Sequence, residues 1–241
     1  MKYKVEEISD KYEKEAIQVL SMSFVNDPGI AFFSPNPVKR MHHTIKMVSG
    51  MSGILNSFGK KFMIKTNDKI AAVAMWVPPG KNINNWRLIK AGFILIPFVM
   101  GLRVFRKIMM FLDIAMRLQE EHMENRDHWH LFYVGVNPAS QRNGYGKAVI
   151  SEILGESDKT KIPVFVQVFT EEGQRFFKKN GFEIISKTKF SEDCIMNCMI
   201  REPKQKYPQR VKPDAKKISS KKVISKPAEK KLKNPKKRSN K

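Results

Sequence analysis

Val134-Gly-Val-Asn-Pro-Ala-Ser-Gln-Arg-Asn-Gly-Tyr-Gly146 joins an apolar strand, Leu131 to Val136, to a run in which Ala148, Val149, Ile150, Ile153 and Leu154 recur at helical spacing. The strand therefore feeds a glycine-spaced turn that opens a helix. Backbone amides at a helix start point outward with partial positive charge, and glycine lets an anion approach the chain without meeting a Cβ. Gln141, Arg142, Asn143, Gly144, Tyr145, Gly146 and Lys147 are thus candidate ligands for a diphosphate, with full charges from Arg142 and Lys147. Two other phosphate loops are excluded. The dinucleotide fingerprint needs a third glycine and an acid about 20 residues on, and the Walker loop needs Ser or Thr after Gly-Lys, where this chain has Ala148.

The full pattern, Val-x-Val-x-Pro-x-x-Gln-x-x-Gly-x-Gly, resembles the coenzyme A signature of the GNAT superfamily of N-acetyltransferases and matches it at each of these positions. A second block supports the resemblance. Pro163 to Phe169 reads as a strand, Glu171 onward as a helix, and Phe176-Phe-Lys-Lys-Asn-Gly-Phe182 is similar to the family's Phe-Tyr-x-x-x-Gly-Phe. Trp129 ahead of the Val-Gly-Val strand and the closing Cys198-Met-x-Arg201 resemble the puromycin N-acetyltransferase-like branch. This resemblance does not imply that puromycin is the substrate.

The resemblance implies an α/β (α+β) GNAT fold: a mixed, mostly antiparallel seven-stranded sheet with splayed parallel central strands, flanked by helices. It implies acetyl-CoA as cosubstrate, an amine acceptor and direct transfer in a ternary complex. The pantetheine arm would lie between the strand of Val134, Gly135 and Val136 and the parallel strand Val164 to Phe169. An amide near Val134 or Gly135 would polarise the thioester oxygen, and Gly135 would serve either close packing or a bulge.

Amine acetylation needs a base for the ammonium proton and a proton for the departing thiolate. The position where histone-type members of the superfamily carry a glutamate is His130 here, which makes it the candidate base. His128 shares its strand face, too little for a metal site without a third ligand. Many members use a tyrosine acid at the second aromatic of Phe-Tyr-x-x-x-Gly-Phe, but this chain has Phe177. Tyr133 is a further candidate hydroxyl. A second reading follows from that departure: an acyl-CoA-binding protein with little catalysis, tethered to RNA, DNA or ribosomes.

The tether would be the C-terminus. Of 45 Lys and Arg in 241 residues, 16 fall in 202–241 beside three acids, so this segment carries +13 of the net +22. Prolines 203, 208, 213, 227 and 235 interrupt its lysine runs, a composition that cannot bury enough apolar surface to order itself. It suits non-specific contact with polyphosphates. The expected domains are 1–201, with a helical insert at 84–125 walling the acceptor site, and a disordered tail at 202–241.

Apolar runs stop short of the ~20 residues of a membrane span, and Ala91 to Leu102 ends at Arg103. No signal peptide is visible. Cys194 and Cys198, four apart on a strand, would lie ~13 Å apart, too far for a disulfide. A reducing, cytoplasmic location is the expectation. Further elements expected are a strand Lys2 to Ile8, a helix Lys11 to Phe24, a loop rich in Asn, Asp and Pro, a hairpin around Asn67-Asp68, and two helices, Asn85 to Val99 and Leu102 to Glu124. Phe93, Ile96, Phe98 and Phe111 of that insert are expected chiefly in core packing.

Overall fold

The computed structural model describes residues 3–83, 85–90, 95–123 and 126–204. Phe93, parts of the expected insert and the tail from 205 onward lie outside the described residues. Elements follow in the order β1 (Glu6–Glu7), α1 (Asp10–Phe24), α2 (Pro28–Phe33), α3 (Pro37–Leu55), β2 (Lys60–Thr66), β3 (Lys69–Val77), α4 (Asn85–Lys90), α5 (Ile96–Met100), α6 (Leu102–Met123), β4 (Trp129–Val136), α7 (Tyr145–Thr160), β5 (Val164–Val168), α8 (Glu171–Lys179), β6 (Glu183–Ser191) and β7 (Cys194–Arg201). The seven strands form one sheet in the order β1-β2-β3-β4-β5-β7-β6, in which β4 and β5 run parallel and all other neighbours antiparallel.

The β2–β3 turn places both Asn67 (φ 49°) and Asp68 (φ 59°) in the left-handed region, as a two-residue hairpin turn matched to strand twist requires. The first strand is shorter than expected, only Glu6–Glu7, with Ile8 donating to the Lys61 carbonyl just beyond it.

The expected loop after α1 is instead two helices. Asp27 and Asn36 accept hydrogen bonds from the amides of Gly29 and Val38, and Pro28 and Pro37 follow them as first helical residues. An Asp-Pro or Asn-Pro pair thus starts a helix here, because proline lacks only an amide that the first turn leaves unpaired anyway. The helix expected over Asn85 to Val99 is broken: α4 ends at Lys90, and Pro97 stands in the first turn of a separate α5 that closes at Gly101 (φ 87°). Contacts with the folded unit continue just past Arg201. Arg126 pairs with Glu202 at 3.0 Å, and the Lys204 amide donates to Asp158.

The sheet is covered on both faces, which is why seven consecutive residues of β3, Ile70 to Trp76, are at most 1% exposed. Ala72, Ala74 and Trp76 face α7 and α8 in a cluster with Leu131, Val149, Ile150, Ile153 and Phe177. Val73, Met75 and Val77 face α1 and α3 with Ala16, Leu20 and Val48. Helices α2 to α6 close a further cluster around Phe33, Met51, Leu88, Met100 and Ile108.

Candidate functional site

Helix α7 begins at Gly144, held at φ 83° and ψ 3°, and no side chain caps it. An absent cap costs about 1 kcal/mol, while fully burying each of Val149, Ile150 and Ile153 in α7 contributes roughly 1.5–3 kcal/mol. The helix therefore forms with its first amides left open. Arg142 is also left-handed, at φ 64°. Such backbone alternation turns successive amides into one concavity suited to an anion. Gln141, Arg142, Asn143, Gly144 and Lys147 are exposed around it, with Tyr145 and Gly146 half-buried. The loop is braced locally: the Asn143 side chain donates to the Ser140 and Gln141 carbonyls, Tyr3 Oη donates to the Asn143 carbonyl at 2.7 Å, and the Tyr3 and Tyr145 rings stack at 4.6 Å.

The two cradle glycines do different work. A Cβ at Gly144 would meet nothing within 4 Å, so its requirement is the positive φ. A Cβ at Gly146 would stand 3.3 Å from Val136 and 3.4 Å from Phe176. Gly146 lets α7 pack on β4 and α8, rather than clearing space for an anion.

Strands β4 and β5 pair only from Trp129 to Leu131, against Val164 to Val166. Beyond Leu131 no described strand pairs with that edge of β4, and the two strands diverge. The cause lies on the opposite edge. Against β3, Met75 faces Tyr133 and Trp76 faces Leu131, so Phe132 is an extra, bulged residue. Bulges bend a strand and re-aim its side chains. Here the α7 face carries Trp129, Leu131, Val134 and Val136, with a three-residue step across the bulge. Tyr133 consequently points to the opposite face, among the residues of α1 to α6. The bulge is at Phe132, not Gly135. Gly135 serves close packing, since a Cβ there would fall 2.8 Å from Ser23 Oγ and 3.0 Å from Leu20. Ser23 Oγ donates to the Val136 carbonyl at 3.0 Å, fixing the end of α1 against this part of β4.

Asp27, three residues beyond α1, is the functional candidate that sequence reading missed. Its carboxylate caps α2 through the Gly29 amide at 2.8 Å. Gly29 in turn packs on Phe169 at the end of β5. Burial pushes the Asp27 carboxyl up to about 6, outweighing the amides of Gly29 and Ile30 that stabilise its charge. Asp27 lies within electrostatic reach of Tyr133 on β4 and Cys194 on β7: burial first, then the Asp27 charge, raises both hydroxyl and thiol, the thiol to about 11. The Tyr133 ring stands among other aromatics, with Phe24 at 5.3 Å and Phe132 at 4.9 Å. The one available signal was the Asp27-Pro28 pair, which the sequence presents as a loop.

His130 lies in the paired part of β4, opposite Phe165, with its ring 5.4 Å from both Phe132 and Phe165. It is 6% exposed, and burial with the neighbouring His128 drives it down to about 3. His128 is held by Gln119 of α6 at 2.8 Å and by the Arg126 carbonyl at 2.7 Å. Among the described residues no cluster of three or more His, Cys, Asp or Glu could hold a metal ion. Phe177 is 4% exposed, wedged between Phe176 and Phe182 at 5.1 Å from each. Cys194 and Cys198 are buried and free.

Comparison with known proteins bears on the family and the fold. The chain is 26% identical over 157 residues to an uncharacterized N-acetyltransferase of Schizosaccharomyces pombe, a match covering 60% of this chain and 62% of the relative. It thus spans less than two thirds of that protein. In fold it is similar to the histone acetyltransferase HPA2 and related acetyltransferase of Corynebacterium glutamicum (TM-score 0.56, 14% identity, 85% of this chain and 98% of that one). It is equally similar to arylalkylamine N-acetyltransferase 2 of Aedes aegypti (TM-score 0.56, 13% identity, 84% and 99%). The profile of the acetyltransferase (GNAT) family matches residues 53–182, more than half of the chain, and this protein belongs to that family.

Proposed function

We propose that this protein is an acetyl-CoA-dependent N-acetyltransferase acting on a primary amine of a small molecule or protein by direct transfer. The observation that carries the reading is the juxtaposition of an uncapped, left-handed entry to α7 with the unpaired edge of β4. The open amides of residues 144 to 147, with Arg142 and Lys147, would hold the diphosphate of the coenzyme. Gln141, Asn143 and Tyr145 would shape its cradle. Backbone groups of Val134, Gly135 and Val136 would receive the pantetheine arm as an added strand, and an amide beside the bulge would polarise the thioester oxygen.

Asp27 supports the chemistry. A carboxylate tuned to about 6 takes a proton from an ammonium group at neutral pH, directly or through water. The amine nitrogen then attacks the thioester carbonyl carbon, and collapse of the tetrahedral adduct expels the thiolate. Tyr133, whose phenol burial keeps protonated, would pass its proton to the thiolate and take back the remaining extra proton of the attacking nitrogen, which completes the neutral amide. His130, the base suggested by the sequence, is a poor competitor in this reading: at about 3 it holds a proton too weakly. Phe177 has a packing role. Transfer through an acetylated cysteine is disfavoured, since Cys194 is raised to about 11 and buried. An aromatic wall with one carboxylate suits an amine on an apolar or aromatic body.

The puromycin N-acetyltransferase-like branch, a cytoplasmic location and the 1–201 and 202–241 division with nucleic-acid contact by the tail remain part of this proposal. The buried, unpaired thiols accord with a reducing compartment. The buried Phe177 in place of a tyrosine favours the second reading, an acyl-CoA-binding protein of little activity tethered by its tail. Calorimetric titration of acetyl-CoA into the full chain, then coenzyme A release across a panel of primary amines, separates the two. Micromolar binding with amine-dependent release supports the enzyme. Binding without release from any amine supports the second reading, and no binding at millimolar ligand removes both.

A further inference from the structure

Between Asp68 and Asp113 the sequence contains no acid and seven Lys or Arg. The described part of this stretch also holds most of the surface's apolar excess: of eleven exposed large hydrophobic side chains among the described residues, seven fall between Trp86 and Met110. Trp86 (62% exposed) and Ile89 stand on α4, Leu95 and Phe98 (87%) at α5, and Leu102 and Met110 on α6. Lys90, Arg103 and Arg106 are exposed among them, and no ion pair involves these three among the described residues. A monomer rarely exposes so many large apolar side chains along one stretch of chain without a partner for them.

Helix α6 contains its own control. Its exposed face changes from Leu102, Arg103, Arg106 and Met110 in the first turns to Asp113, Arg117, Glu120 and Glu121 further along, where Arg117 and Asp113 pair at 2.6 Å. The second half is an ordinary solvated face. The first half joins α4 and α5 in an acid-free, cationic and apolar surface, while the inner sides of these helices are filled by Leu88, Ile96, Met100 and Ile108. Exposed Trp and Phe beside Lys and Arg match what an anionic lipid surface offers: phosphate charge above an apolar layer that accepts side chains without a shaped pocket. No described helix is long and apolar enough to cross a membrane, so the attachment would be peripheral.

We propose that the α4–α5–α6 edge is a docking surface for anionic lipid membranes, with Phe98, Trp86 and Leu102 entering the interface and Lys90, Arg103 and Arg106 meeting lipid phosphates. Trp86 reports the event by itself, because Trp76 and Trp129 are 0% and 3% exposed.

The test uses the full chain with vesicles of phosphatidylcholine, either alone or with about one third phosphatidylserine. The expected result is a blue shift and acrylamide protection of tryptophan emission with the anionic vesicles only. The double variant Phe98→Glu, Leu102→Glu, which keeps the basic tail, should lower co-sedimentation by at least about tenfold. Three results would overturn the proposal. One is co-sedimentation with unchanged tryptophan emission, which means that the tail alone binds. Another is undiminished partition of a folded double variant. The third is a concentration-dependent dimer, abolished by the same substitutions, that protects Trp86 without lipid.

Discussion

The proposed coenzyme side and the proposed acceptor side of this molecule are built in opposite ways. On the coenzyme side, strand β4, the turn and α7 form one continuous stretch from Trp129 to Thr160, and the groups offered to a diphosphate are backbone amides whose direction follows from chain geometry. On the acceptor side, Asp27, Tyr133 and Cys194 come from three distant segments and converge only after the sheet has assembled. A site made of consecutive residues can be recognised by pattern. A site made by convergence is recognised by distance, burial and charge.

Perturbing each side in turn tests that contrast. The largest effect is expected at Asp27: Asp27→Asn should lower kcat/KM by about 10²–10⁴-fold, the usual range for a lost proton-transfer group. Its affinity for acetyl-CoA by calorimetry should be unchanged, because the carboxylate is bonded to the Gly29 amide of α2 and not to a cradle residue. In the parent protein kcat/KM should fall as pH drops through about 6, where Asp27 takes up its proton, and this limb should be missing from the residual activity of the variant. A limb that persists in Asp27→Asn would move the base elsewhere. The reciprocal substitution is Gly144→Glu. It brings a side chain and a negative charge to a position at φ 83°, and should weaken acetyl-CoA binding by at least about 100-fold. The far-ultraviolet circular dichroism should stay that of the parent. Wild-type affinity in this variant would rule out the cradle.

Two smaller effects concern how the halves are joined. Gly135→Val forces a side chain into the 2.8 Å approach of Ser23 and should destabilise by about 1–3 kcal/mol in denaturant unfolding, because Ser23 Cβ, 3.0 Å away, is fixed to the last turn of α1 and cannot rotate aside. An unchanged midpoint would show that α1 moves freely against β4. The smallest effect is a gain. Folding raises the Asp27 carboxyl from 3.8 to about 6, so the fold prefers its protonated form. That contribution is complete below the unfolded value and is lost as pH rises through about 6. Asn keeps the helix cap and carries no charge. Asp27→Asn should therefore be more stable than the parent at pH 8 by on the order of 1–2 kcal/mol, with the gap shrinking toward pH 5. A variant less stable than the parent at pH 8 would mean that the carboxylate's charge stabilises the fold.

Much of the fold was legible for physical reasons visible at particular residues. The Asn67-Asp68 turn and the helical period from Ala148 are local signals, and each produced the element expected of it. The errors share a cause as well. Asp27-Pro28 and Asn36-Pro37 were ambiguous between loop and helix start, and only packing of Ile30, Phe33, Met47 and Met51 into a common cluster selects the helix. The separate start of α5 within an apolar run, with Pro97 in its first turn, is likewise invisible to periodicity.

By itself the sequence determined the glycine-spaced entry to α7 that is proposed as the coenzyme cradle, because that entry is a property of a dozen consecutive residues. It located the main strands through their apolar runs. The tertiary structure decided the rest. One extra residue at Phe132 splits β4 from β5 and turns Tyr133 to the α1 face, a shift of register that alternation alone cannot foresee. It also decided which ionisable group is tuned near neutrality, because a carboxyl rises and an imidazole falls with burial, and burial belongs to the packed chain.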